Sequence, residues 1–243
     1  MKRVLFFFSA LTGTAAAQLV TPAAYNSNVK ISYVREWVPL KPFSSETDVI
    51  SSSRTIQEIR QTTQYFDGLG RALQTVVKKG SMISGESAKD LVSPVLYNEY
   101  GRESIQYLPF VANSTGGNSS LSDGKFKLNP FQQDSSFNKG LFSDETYYYS
   151  RTVFEVSALN RPTEIYAAGD SWVGTAGQSS EVNRRGIKSK YRVNRVADSV
   201  RLWMVSGAIS DFGNISTNAI YSAGQLMKSI IQDEHNKQVI EFK

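Results

Sequence analysis

The strongest constraint on this chain is a turn that recurs between β-prone runs. Four segments read Asp, Asn or Ser, then two variable residues, then Gly or Asn, then Arg or Lys. They are Asp67-Gly68-Leu69-Gly70-Arg71, Asn98-Glu99-Tyr100-Gly101-Arg102, Ser157-Ala158-Leu159-Asn160-Arg161 and Asp233-Glu234-His235-Asn236-Lys237. A short polar side chain at the first position accepts a hydrogen bond from the backbone two residues on. The fourth position of a type I turn with a bulge requires positive φ, which Gly and Asn tolerate. The closing Arg or Lys is placed to pair with an acid or to lie on an aromatic ring. Asp67, Gly70, Arg71, Asn98, Gly101, Arg102, Asn160 and Arg161 are therefore read as structural turn residues. The copies keep no fixed period, and Ser135-Ser136-Phe137-Asn138-Lys139 fits the same pattern where a helix is expected.

The runs around these turns are β-prone. The chain has 12 Tyr, 13 Phe and 3 Trp, residues that suit a pleated, half-buried surface. Lys30 to Val38 alternates and stops at Pro39, which predicts a strand. Ile56 to Gly80 and Val95 to Pro109 each read as a hairpin, and strand character returns in TYYYSRTVFEV, RPTEIYAAG, KYRVNRV and SVRLWMV. A last hairpin is expected in GQLMKSIIQDEHNKQVIEFK. Ser44 to Ser53 reads as a loop, as do residues 174–186, and 112–124 reads as a mobile surface loop. Asn129-Pro130 predicts one short helix, with Asn129 as N-cap and an end near Gly140. The fold class is mainly β: antiparallel hairpins or a meander, in an open sheet or a β-sandwich, with one short helix and long loops.

Met1-Lys2-Arg3, an apolar run from Val4 to Phe8 and Ala15-Ala16-Ala17 together read as a secretory signal cleaved after Ala17. Its apolar stretch of about 14 residues is short of the roughly 20 that span a bilayer, and no later run is long enough to cross. The expected organisation is a signal peptide over 1–17, a flexible lead-in over 18–28 and a β-rich domain over 29–243. The product is expected to be exported, to the cell exterior, the cell surface or the periplasm. Losing Lys2 and Arg3 lowers the net charge from +5 to +3, too mild to indicate a nucleic-acid partner. There is no cysteine, which rules out disulfides and thiol catalysis, and the single histidine, His235, cannot form a metal-binding pair.

The phrases QYFDGLGRALQTV and LYNEYGRESIQYLP resemble the tyrosine-aspartate (YD) repeats of RHS proteins, in which such turns link successive hairpins. YVREWVPLKP, FEVSALNRPTEIYAAGDSWVG, ADSVRLWMV and AGQLMKSIIQDEHNKQVIEF extend the likeness. Together they resemble the domain of unknown function that precedes the repeats in secreted Bacteroidetes-type RHS proteins. The resemblance runs from about Asn28 to Lys243. It implies an RHS/YD-like sheet and a structural role at the front of a polymorphic toxin-like protein, next to a downstream YD-repeat shell. The chain carries only a few degenerate YD units and is expected to be a fragment of a longer protein.

Other side chains invite a second reading, a free-standing module that binds cell-surface glycan. Trp172 offers a stacking platform, and Arg184, Arg185, Lys188, Lys190 and Arg192 open the densest basic stretch, continued by Arg195 and Arg201. The competing reading is a packed tryptophan beside a solvated strand face. The run Tyr147-Tyr148-Tyr149 is a second candidate stacking platform for sugars, weighed against core packing, and the Gly70-Arg71 and Gly101-Arg102 pairs read as braced turns. Glu145, Glu155 and Glu164 could supply a glycosidase pair, but no spacing singles them out. No phosphate loop is present, because no helix opens after Gly68-x-Gly70. No cofactor, metal site or catalytic constellation is expected.

Overall fold

The computed structural model describes residues 21–81, 87–172, 185–207 and 213–243. The predicted signal segment, most of the 174–186 loop and Arg184 lie outside the described residues. The chain is mainly β. Among the described residues, thirteen strands form three antiparallel sheets of five, six and two strands, and none of these sheets closes into a barrel.

The first sheet is built from β1 (Ser32–Pro39), β2 (Ile59–Phe66), β3 (Ala72–Val77), β4 (Leu91–Pro94) and β6 (Phe110–Val111). Period-2 alternation puts one row of side chains directly across it: Thr63, Val76, Val92 and Phe110 pair in register, and all four are fully buried. Tyr65, Gln74 and Pro94 form the next row. β1 is an edge strand and ends at Pro39, whose missing N–H costs least at an edge.

Beyond Leu108-Pro109 the chain has left the second sheet, where β5 (Ile105–Tyr107) pairs with β7 (Tyr149–Phe154). The order then runs through β8 (Pro162–Tyr166), β9 (Gly186–Val193), β12 (Met227–Gln232) and β13 (Gln238–Phe242). Gly186 is fixed by close approach. A Cβ there would lie 2.4 Å from the ring of Tyr166, the buried residue opposite it. β10 (Arg201–Ser206) and β11 (Asn214–Ile220) pair only with each other.

The predicted helix is α2 (Pro130–Leu141), with Pro at its first position. Asn129 sits at the cap position but caps no backbone N–H. Its side chain donates to the Thr115 carbonyl (2.7 Å) and accepts from Gln133 Nε2 (2.6 Å). Ser135 to Lys139 lies within α2, so its match to the turn pattern is accidental.

Three readings of the sequence are corrected. The Ser44 to Ser53 loop contains a one-turn helix, α1 (Glu46–Val49), capped by the Ser45 hydroxyl on the Asp48 N–H. The Val95 to Pro109 hairpin is reduced to one bridge, Leu96 with Ile105, because β5 pairs instead with β7. The 112–124 segment is built into the structure. Asn113 N–H and Asn118 Nδ2 both bond to Gln133 Oε1, and Asp90 N–H donates to the Leu121 carbonyl.

Candidate functional site

The first two turns have one geometry. Asp67 Oδ1 accepts from the N–H groups of Leu69 and Arg71 (both 2.9 Å), and the Asp67 N–H donates to the Arg71 carbonyl. Asn98 makes the same three bonds with Tyr100 and Arg102. Gly70 and Gly101 hold φ of +78° and +70°, conformations that cost an L side chain roughly 1–2 kcal/mol. Asp233 repeats the arrangement with His235 and Lys237, and Asn236 takes the positive φ. The Ser157 copy differs: the closing pair moves outward to Glu155 N–H and the Arg161 carbonyl, while Asn160 keeps φ of +51°.

The arginines connect these turns in series. Arg71 pairs with Asp67 (2.8 Å) and lies over the ring of Tyr97, just ahead of the second turn. Arg102 lies over Phe154 in β7 and donates to Asn160 Oδ1 (2.9 Å) in the third turn. Arg161 pairs with Glu155 through two nitrogens (3.0 Å each) and lies over Tyr191 in β9. Each guanidinium thus contacts its own turn and a ring beyond it, beside the second turn for Arg71, in β7 for Arg102 and in β9 for Arg161. Glu155 is lowered to about 2, first by the Arg161 bond and then by the Ser157 hydroxyl. The Asp67 carboxyl is likewise held below its ordinary range, chiefly by the Arg71 N–H.

The proposed surface-binding residues are only partly gathered. Lys188, Lys190 and Arg192 alternate onto one face of β9, where Lys188 stands opposite Glu164 and Gln232. Trp172 sits in a turn, half-buried, with the Arg185 guanidinium 5.6 Å from its ring centroid. Glu145 accepts from the Asp170 N–H, and Glu164 from the Tyr166 hydroxyl, so two of the candidate carboxylates have local structural partners. The third, Glu155, is the partner of Arg161. His235 is exposed in its turn. Among the described residues no acid and histidine cluster suits a metal ion, and no helix is long and apolar enough to cross a membrane.

A second polar system carries no local sequence signal. The fully buried Lys127 ammonium contacts the fully buried Asp90 carboxylate (2.7 Å) and the Ser120 hydroxyl (2.7 Å). Asp90 also accepts from the N–H groups of Lys79 and Gly124, and the Gln74 amide bonds both the N–H and the carbonyl of Lys127. Between α2 and strands β5 and β7 lies a cavity of about 210 Å³ lined by Asp134 and a series of aromatic rings.

A sequence profile matches the chain over residues 35–185, well over half its length: that of the domain of unknown function DUF6443. The chain belongs to the DUF6443 family. No curated protein and no solved structure matches it.

The DUF6443 match contains the first three turns, the Asp90–Lys127 pair, all of α2 and every described cavity-lining residue except Thr21. The fourth turn and strands β9 to β13 follow it. The sequence signal for the turns was local. For Asp90 and Lys127 the one available hint is an apolar neighbour, Leu91 after Asp90 and Phe126 and Leu128 around Lys127; Asp134, between Gln133 and Ser135, carries none.

Proposed function

We propose that this DUF6443 chain is a non-catalytic structural module of a secreted RHS/YD-repeat protein, acting as scaffold or cap beside a downstream repeat shell. The supporting observation is the serial bracing of the turns, in which Arg71 reaches a ring beside the second turn, Arg102 reaches the third turn and Arg161 reaches β9. Such bracing needs only neighbouring hairpins, so it can be extended by further units of the same kind. The candidate carboxylates that hold local structural partners fit a role without chemistry, and the signal-like start fits export. The intact mass of the native product, isolated from its source, tests this reading. A species much larger than this chain and containing its peptides is expected. A product ending at Lys243 would overturn the role beside a repeat shell.

The common face of Lys188, Lys190 and Arg192 favours a second reading, binding of anionic cell-surface glycan. Glycan-array binding that drops on Lys190→Ala and Arg192→Ala is its expected mark, and an array without signal removes it.

A further inference from the structure

The cavity between α2, β5 and β7 has features that the scaffold role leaves unused. Its walls include Phe131 from α2, Tyr107 from β5, Tyr149 from β7, and Tyr147 and Tyr148 just before β7. The rings form a continuous series: Phe131 to Tyr107 at 4.9 Å between centroids, Tyr107 to Tyr149 at 5.8 Å, and Tyr149 to Tyr147 at 5.9 Å and 83°. Among the described residues, the buried hydroxyls of Tyr107 and Tyr149 have no hydrogen-bonding partner, and Tyr149 is only 6% exposed. A buried polar atom without a partner is costly in a folded protein and points to a role.

Asp134 supplies the charge. It is 1% exposed, and the one side-chain bond it receives is from Asn138 Nδ2 (2.9 Å). Among the described residues, none that lines the cavity is basic. Glu145 and Asp170 act on Tyr148 from beyond the cavity, so they add to the negative field, while Arg151 acts on Tyr149 without lining the cavity. A negative site walled by aromatic rings suits a large, weakly hydrated cation. One carboxylate with neutral phenols falls short of the six to eight oxygens a calcium ion takes.

We propose that this cavity binds a small organic ammonium ion, with the Asp134 carboxylate as counter-charge and the Phe131, Tyr107, Tyr149 and Tyr147 rings as walls. Burial raises the Asp134 carboxyl to about 7, so the carboxylate form is the minority one below neutral pH. The groups facing it are Asn138 on its own helix and Tyr107 and Tyr148 across the cavity. Both phenols are raised above their ordinary value of 10, so neither changes charge near neutrality. Bound ammonium favours the carboxylate, and affinity should therefore fall as pH drops from 8 to 6.

The test is calorimetric and NMR titration of the full chain with choline and with its neutral isostere, 3,3-dimethyl-1-butanol. Saturable choline binding at pH 8 is expected, at least about tenfold tighter than the isostere, the factor that about 1.4 kcal/mol of charge interaction provides. Asp134→Asn should lose about tenfold for choline and leave the isostere unchanged. Equal binding of choline and the isostere by the unaltered chain overturns the proposal whatever the variant does. So does the absence of saturable choline binding, or undiminished binding by a folded Asp134→Asn chain.

Discussion

Replacing either partner of the Asp90–Lys127 pair removes a charge interaction from a place water does not reach. In Lys127→Met the alkyl stem is kept and the ammonium is lost. Asp90 is left buried and charged, with only the Lys79 and Gly124 N–H groups (2.8 Å each) to hold it. Breaking a buried pair costs about 3–5 kcal/mol, and the two retained donors place this variant near the low end. Asp90→Ala is expected to cost more. It strands the Lys127 ammonium, whose other partners are Ser120 and, at 3.5 Å, Asp123. It also orphans both N–H donors, each a penalty of about 1–3 kcal/mol when buried. The double variant should lose at least about 1 kcal/mol less than the two single losses combined, because the second substitution removes the unpaired charge the first one creates.

Urea denaturation followed by tryptophan fluorescence measures all three, and thermal midpoints should fall by roughly 2–4 °C for each kcal/mol in a chain of this size. Because Lys127, Ser120 and Gly124 belong to the segment that covers the first sheet, its amides should also exchange faster in Lys127→Met. Single variants within about 0.5 kcal/mol of the parent chain, or a strictly additive double variant, would refute this account of how the segment is held.

Other outcomes follow from the turns and from Asp134. Gly70→Ala and Gly101→Ala should each cost only the positive-φ penalty of about 1–2 kcal/mol, since a Cβ at Gly70 meets open space and one at Gly101 meets only Arg71 Nη1 at an ordinary contact distance of 3.4 Å. Glu155 is lowered from 4.5 to about 2, so its contribution is present above pH 4.5 and is lost as pH falls toward 2; in Arg161→Ala the midpoint should be less acid-sensitive across that window. Asp134 has the opposite sign: its folded value of about 7 exceeds the 3.8 of the free side chain, so it costs nothing below pH 3.8 and most above 7. Asp134→Asn should therefore match the parent chain at pH 3.5 and exceed it by on the order of a few kcal/mol at pH 8, read from urea midpoints.

What the sequence disclosed divides by the range of the interactions involved. The turn copies were legible because their chemistry closes within five residues. Asp67 must accept from Leu69 and Arg71, and position four must take positive φ, so the residue types are fixed by neighbours. The helix was legible for the same reason, through Asn129-Pro130, yet the Asn129 side chain is used by Thr115 and Gln133 rather than by the helix end. The series of arginines was half legible. Arg71 was placed to meet an acid or a ring, but that the ring belongs to the next turn depends on how the hairpins lie side by side.

The 112–124 segment, with Lys127 just beyond it, shows where local reasoning stops. Its residues are small and polar, the composition of a loop that cannot bury apolar area, and a mobile loop follows if burial must be apolar. Here the covering of the sheet is polar instead. Lys127 meets Asp90 across 37 positions, Gln74 meets the Lys127 backbone across 53, and the Tyr65 hydroxyl donates to the Gly124 carbonyl across 59. None of these pairs has a period or a spacing to read, because the partners come together only once the strands pair. Satisfied polar networks of this kind specify one arrangement more sharply than an apolar cover does, since a shifted segment leaves buried charges unpaired. Buried Arg102 Nε, Gln132 Oε1 and Thr217 Oγ1 also lack partners among the described residues, so an unpaired atom alone singles out no site. Tyr107 and Tyr149 differ in lining one cavity together with the buried Asp134 carboxylate, and that combination is the reason to look for a ligand there.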